Sequence, residues 1–127
     1  MQMLHNAAQT YQSNQVTTAT PGELTLMLYN GAIKFIKQAK SAIDEKNVVK
    51  AHENCLKVQN ILYELLSTLN KDYPISGELE KMYDYMLHRM IEANMRKDAS
   101  ILTEVEDYFV QFRDTWKEAM LLAKKQR

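Results

Sequence analysis

The stretch Thr20-Pro21-Gly22-Glu23-Leu24-Thr25-Leu26-Met27-Leu28-Tyr29-Asn30-Gly31-Ala32-Ile33-Lys34-Phe35-Ile36 decides the fold. Thr20 supplies an N-cap hydroxyl, Pro21 suits the first helical position, and Glu23 stands where its carboxylate reaches back to the cap. A helix therefore starts at Pro21, and its apolar pattern carries it to about residue 45. One apolar row runs Leu24, Leu28, Gly31, Phe35, Ala39, Ala42, and a second runs Leu26, Tyr29, Ile33, Ile36, Ile43. Together with Met27 they cover more of the circumference than the roughly 100° stripe of a surface helix, so this helix needs cover on two sides.

Beyond this helix, Val48, Ala51, Cys55, Val58, Leu62, Leu65 and Leu69 alternate at three and four, the seam of an antiparallel bundle, and predict a helix over 48–70. Pro74 pushes Tyr73 out of helical geometry, which makes Lys71 to Gly77 the interior loop, and Ser76 is the expected cap of the third helix. Leu79, Tyr83, Met86, Met90 and Ala93 predict that helix over 77–97. Asp98 caps the next, over 99–124, whose seam is Leu102, Val105, Phe109, Phe112, Trp116, Ala119 and Ala123. Short connections favour antiparallel neighbours. The expected fold is all-α, an antiparallel four-helix bundle over 21–127, preceded by a separate, mobile helical segment over 1–20.

Composition narrows the function. The 127 residues carry 16 basic and 16 acidic side chains, so no net field draws nucleic acid or anionic lipid. The single cysteine, Cys55, excludes an internal disulfide, and as a small seam residue it reads as packing. No apolar run approaches the length of a membrane span and the start lacks signal-peptide character, so a soluble cytoplasmic protein is expected, without direct membrane insertion. The three glycines and two prolines are too few for the turns of an all-β protein.

The chain lacks a phosphate-binding glycine loop, a Gly-x-Ser-x-Gly elbow and a His-Glu-x-x-His pair. A di-iron bundle needs Glu-x-x-His pairs, and Val49 and Tyr85 stand three residues before His52 and His88. No catalytic residue, metal site or cofactor is expected. A histidine phosphotransfer bundle using His88 is the enzymatic alternative, weakened because Glu92 one turn on repels a phosphoryl group and no glycine clears space beside the ring. A bundle that buries its apolar surplus by self-association is the structural alternative, so a homodimer stays open.

Two features point to a partner. Met82, Met86 and Met90 repeat every fourth residue, giving a soft row of the kind that adapts to varied ligands, and the first helix has a second apolar row with no evident mate. Residues 1–22 contain no charge, and Leu4, Ala7, Ala8 and Tyr11 fall on one helical face. That segment has the character of a placeholder lying in an apolar groove until displaced.

Tyr11 through Val16, Thr18-Ala19-Thr20-Pro21-Gly22-Glu23-Leu24, Leu28-Tyr29-Asn30-Gly31, Met82-Tyr83-Asp84-Tyr85-Met86, Arg89-Met90-Ile91-Glu92-Ala93-Asn94 and Phe112-Arg113-Asp114-Thr115-Trp116 resemble the flagellar secretion chaperone family, FliS, over nearly the whole chain. Lys71 to Gly77 departs from it, where the family tends to have a small-residue turn. The resemblance implies a cytoplasmic helical bundle that binds the disordered C-terminal region of flagellin, prevents premature polymerisation and presents the subunit to the cytoplasmic domain of the flagellar type III export gate. It also implies a mobile N-terminal cap, assigned here to Leu4, Ala7, Ala8, Tyr11 and Val16. The expected flagellin slots are Leu26, Tyr29 and Ile33 on the first helix, and Tyr83, Tyr85, Met86 and Met90 on the third. Asn30 and Asn94 are the expected register-setting amides.

Overall fold

The computed structural model describes residues 19–125. Four helices succeed one another: α1 (Pro21–Asp44), α2 (Val48–Ser67), α3 (Ser76–Arg96) and α4 (Ala99–Lys125), with no strand among the described residues. The expected cap residues Leu4, Ala7, Ala8, Tyr11 and Val16 lie outside the described residues.

The start of α1 forms as its sequence requires. The Thr20 hydroxyl accepts from Glu23 N at 3.2 Å and Glu23 Oε2 accepts from Thr20 N at 3.2 Å, so both halves of the capping box are made. Asn47 caps α2 by accepting from Lys50 N at 3.1 Å. Asp98 caps α4, its Oδ1 accepting from Ser100 N at 2.9 Å, and the hydrogen bonds from Ser100 hold its carboxyl below the ordinary range. Ser76 departs from expectation. The cap position of α3 is Ile75, without a side-chain hydrogen bond, and Ser76 is the first helical residue and buried. The two short turns use lysines in left-handed backbone, Lys46 at φ 60° and Lys97 at φ 50°, which reverse the chain in two or three residues.

Each helix packs on two others, α1 on α2 and α4, and α3 on the same pair, which closes the four into an antiparallel bundle. This arrangement explains the wide apolar arc of α1. Tyr29, Ala32, Ile33, Ile36 and Ala39 are all buried, and the Tyr29 ring meets Phe109, Phe112 and Trp116 of α4. Tyr29, Ile33 and Ile36 of the second apolar row are therefore core, contrary to the expectation that the row lacks a mate, while Leu26 and Ile43 at its ends are half-buried. Met86 and Met90 are likewise at 0% exposure, and only Met82 of the methionine row is half-buried. Beneath the α1–α4 seam, Glu106 receives Lys37 and Lys40, each at 3.0 Å.

The 27 residues of α4 span about 40 Å against about 36 Å for the 24 of α1. Trp116 already sits beside the first turn of α1, with Nε1 donating to Gly22 O at 2.9 Å. Beyond it Met120 is half-buried, while Ala119 and Ala123, expected in the seam, are exposed, as are Leu121 and Leu122.

Candidate functional site

The residues singled out from sequence separate into a buried group and an accessible one. Tyr29 and Tyr83 are each 2% exposed, and their hydroxyls are 2.6 Å apart. The Tyr29 ring is surrounded by Phe109, Phe112 and Trp116, the last edge-on at 6.4 Å between centroids. Burial pushes both phenol groups above the usual tyrosine range. Ile33, Met86 and Met90 belong to the same core. These five side chains, expected at flagellin slots, are buried in the core.

Asn94 is also committed internally. Lys97 Nζ donates to its Oδ1 at 2.8 Å, which turns the amide nitrogen toward His52 Nδ1 at 3.0 Å. With its oxygen taken by a cation, the amide donates and the ring nitrogen accepts. Asn94 thereby ties α2 to α3 near the α3–α4 turn. Asn30 is exposed and Leu26 half-buried. Tyr85 is exposed, and its hydroxyl donates to Glu104 Oε2 at 2.6 Å while Arg89 Nε donates to Glu104 Oε1 at 2.8 Å. Those two hydrogen bonds hold the Glu104 carboxyl below its ordinary range and join α3 to α4 across the surface.

Of the second row of α1 only Leu26 and Ile43 stay accessible, and most of the accessible apolar surface lies elsewhere. Leu24, Leu28 and Phe35, from the first row, are half-buried, as are Leu26 and Met27. Gly31 lies over Ile61, and a Cβ there would meet Ile61 Cδ1 at 3.6 Å, an ordinary contact between α1 and α2. The Lys57 ammonium sits 5.0 Å from the centre of the Phe35 ring. On α4, Phe112, Trp116 and Met120 are half-buried and run into exposed Leu121 and Leu122. Gly22 joins the two helices, its Cβ position 3.8 Å from both Met120 and Trp116. An apolar lane thus passes from Gly31 over Ile61, along the first turns of α1, to the exposed end of α4.

Chemistry of other kinds finds little footing. His88 is exposed, with Nδ1 at 2.8 Å from Asp84 O and the Asp84 carboxylate 3.8 Å away, an acidic neighbour for any phosphoryl group. Burial pushes the Cys55 thiol up to about 11, the opposite of an activated nucleophile. Among the described residues no three His, Cys, Asp or Glu side chains converge to hold a metal ion, and no helix is long and apolar enough to cross a membrane.

The placement of the lane was legible only in part. The sequence pattern shows two apolar rows on α1 but not which of them faces inward, since α2 and α4 together decide that. The exposed leucines of α4, Leu121 and Leu122, are not distinguished from seam residues by apolar periodicity alone.

Comparison with known proteins places the chain. The family described as "Flagellar protein FliS" matches residues 4–123. The chain is 48% identical over 124 residues to the flagellar secretion chaperone FliS of Bacillus subtilis (strain 168), covering 98% of this chain and 93% of that protein. It is 32% identical over 114 residues to the protein of the same name from Salmonella typhimurium, covering 87% and 84%. Against that of Escherichia coli (strain K12) it is 29% identical over 118 residues, covering 90% and 86%.

Proposed function

The chain belongs to the FliS family of flagellar secretion chaperones, and from that premise we propose that it binds the disordered C-terminal region of flagellin, keeps it from polymerising and hands it to the cytoplasmic domain of the flagellar type III export gate. It acts in the cytoplasm as a binding protein, without catalysis. The observation that supports this reading is the apolar lane of Leu24, Leu26, Met27, Leu28 and Phe35 on α1 with Phe112, Trp116 and Met120 to Leu122 on α4. A soluble bundle that leaves so many large apolar side chains half-covered along one path fits an extended or helical ligand laid over it.

The proposed mechanism is folding coupled to binding. A disordered segment that becomes helical loses chain entropy worth roughly 2 to 5 kcal/mol or more, so a long apolar path is needed to offset it. Leu26 and Tyr85 are proposed to touch the ligand, with Asn30 bonding its backbone or amide groups to set register. Tyr29, Ile33, Tyr83, Met86 and Met90 act from beneath by holding the lane in shape, and Asn94 by fixing α2 against α3. Residues 1–20, uncharged and bearing Leu4, Ala7, Ala8, Tyr11 and Val16, are proposed as the placeholder that covers the lane before flagellin arrives.

Calorimetric titration of the flagellin C-terminal region into this protein is expected to show saturable binding with a negative heat-capacity change. Leu24→Lys together with Leu28→Lys is expected to weaken it at least tenfold while the bundle stays folded. No binding by the parent protein at about 10 µM of each component would overturn the proposal. Removal of residues 1–19 is expected to speed association; an unchanged rate would assign the segment no covering role.

A further inference from the structure

Among the described residues, the one buried side-chain oxygen or nitrogen without a hydrogen-bond partner is Asn54 Oδ1. Asn54 is 4% exposed, and its amide nitrogen donates to Lys50 O at 2.9 Å. A backbone carbonyl only accepts, so the amide cannot be turned the other way, and the unpaired atom is an acceptor. Leaving such an oxygen unpaired in a packed interface opposes folding, and an apolar residue of similar shape would not carry that cost. The described chain offers it no donor.

Asn54 lies on the α1 side of α2. His52 reaches α3 through Asn94, whereas Lys57 and Ile61, one and two turns beyond Asn54, meet Phe35 and Gly31 of α1. With Gly31 level with Ile61 and Phe35 level with Lys57, the same step along two antiparallel helices brings Gln38 level with Asn54. Gln38 is half-buried and makes no hydrogen bond among the described residues. An unpaired amide oxygen on α2 and a wholly unpaired amide on α1 thus stand level across the α1–α2 groove, two turns past Gly31, where the lane continues through Phe35 toward the α1–α2 turn.

The charges around this stretch narrow what fits it. Lys50 and Lys57 stand one turn to either side of Asn54, and the ammonium groups of Lys34 and Lys57 lie 5.9 and 5.0 Å from the centre of the Phe35 ring. Glu53, about 100° round the helix from Asn54, is turned to the outer face. A cationic donor is repelled by that lysine rim, and a carboxylate brings Asn54 Oδ1 only another acceptor. A neutral group with one donor and one acceptor satisfies both amides, its N–H toward Asn54 Oδ1 and its C=O toward the Gln38 amide nitrogen. A primary carboxamide has that form and the reach to enter between two helices. We propose that Asn54 and Gln38 form a carboxamide subsite at the far end of the lane, which takes an asparagine or glutamine side chain of the flagellin segment and fixes its register. The inference rests on the flagellin-binding reading above and names a point of recognition within it. Gln38 is the part that moves, since no hydrogen bond holds it, while Asn54 stays anchored to Lys50 O.

Calorimetric titration of the flagellin C-terminal region into the full chain tests this. Asn54→Leu is expected to lower the affinity about tenfold while the unfolding midpoint of the free protein holds or rises, because leucine leaves no polar atom unpaired. Gln38→Leu is expected to lower the affinity in the same direction. Replacing each asparagine and glutamine of the flagellin segment in turn by leucine is expected to reveal one position whose loss weakens binding to the parent about tenfold and costs the Asn54→Leu protein nothing further. If Asn54→Leu does not fold, Gln38→Leu against the same series decides. Parent-like affinity in Asn54→Leu, or in Gln38→Leu where that variant decides, overturns the inference and leaves the proposed function standing. So do non-additive losses of free-protein stability from Asn54→Leu and Gln38→Leu, which would mean that the two amides serve each other. Absence of binding by the parent removes the proposed function and this inference together.

Discussion

The hydroxyls of Tyr29 on α1 and Tyr83 on α3 meet at 2.6 Å in the core, although 54 residues separate them. One phenol donates to the other across the diagonal of the bundle. Tyr83→Phe leaves the Tyr29 hydroxyl buried and unpaired, at a cost of about 1 to 3 kcal/mol, and Tyr29→Phe does the same in reverse. The double substitution is expected to cost less than the sum of the two. Urea unfolding followed by the fluorescence of Trp116 measures the cycle; additive losses would show that the hydrogen bond carries no coupling.

The same pair sets the alkaline limit. Burial raises the Tyr83 phenol above its ordinary value of 10.0, and its hydrogen bond to Tyr29 adds to the shift. A raised folded-state value means a stabilising contribution fully present below pH 10 and lost as pH climbs toward the folded-state value, because the unfolded chain ionises first. Unfolding midpoints between pH 9 and 11 are expected to fall more steeply for the parent than for the Tyr29→Phe, Tyr83→Phe double variant.

Glu106 gives the acid limit. Burial pushes its carboxyl up, and the hydrogen bonds and charges of Lys40 and Lys37 outweigh this and leave it below the ordinary 4.5. Its contribution is present above that value and disappears as pH falls through the lower folded-state one. Lys37 is largely exposed, so solvent screens its share, and Glu106→Gln is expected to cost about 1 kcal/mol at pH 7. Thermal unfolding at pH 7 and at pH 3 checks it: the gap between parent and variant should narrow at the lower pH.

Trp116→Phe keeps most of the ring packing but removes the donor to Gly22 O. A loss of about 1 kcal/mol is expected, together with faster amide exchange in the first turn of α1. Exchange that accelerates equally in all four helices would mean that the bond does not pin the start of α1.

Cys55 is buried, with its thiol pushed up to about 11 by desolvation, which the Lys97 charge only partly offsets. Its reaction with a disulfide reagent at pH 8 is expected to proceed at the rate of unfolding, and to become rapid in denaturing urea. Immediate labelling of the native protein would contradict the packing of the α2 seam.

Local determinants were present in the order of residues. Thr20, Pro21 and Glu23 start α1, Asn47 and Asp98 start α2 and α4, and Pro74 breaks the chain where α2 has ended. The spacing of Ala51, Cys55, Val58, Leu62 and Leu65 marks one inward face. Helix ends, caps and apolar periodicity depend on neighbours within a turn or two, so the sequence by itself determined the four helices and their antiparallel order.

Which apolar row became core was decided only by tertiary structure. Ile33 and Met90 read equally well as core or as binding surface, because an apolar side chain is buried only when a second helix arrives to cover it. With α2 and α4 on either side, α1 buries Tyr29, Ile33 and Ile36 and leaves Leu24, Leu28 and Phe35 half-open. Leu121 and Leu122 stay exposed at the end of α4, and the pairing of Tyr29 with Tyr83 exists only because two helices distant in sequence converge. Burial is a property of the assembled bundle, and it determines the surface left for a partner.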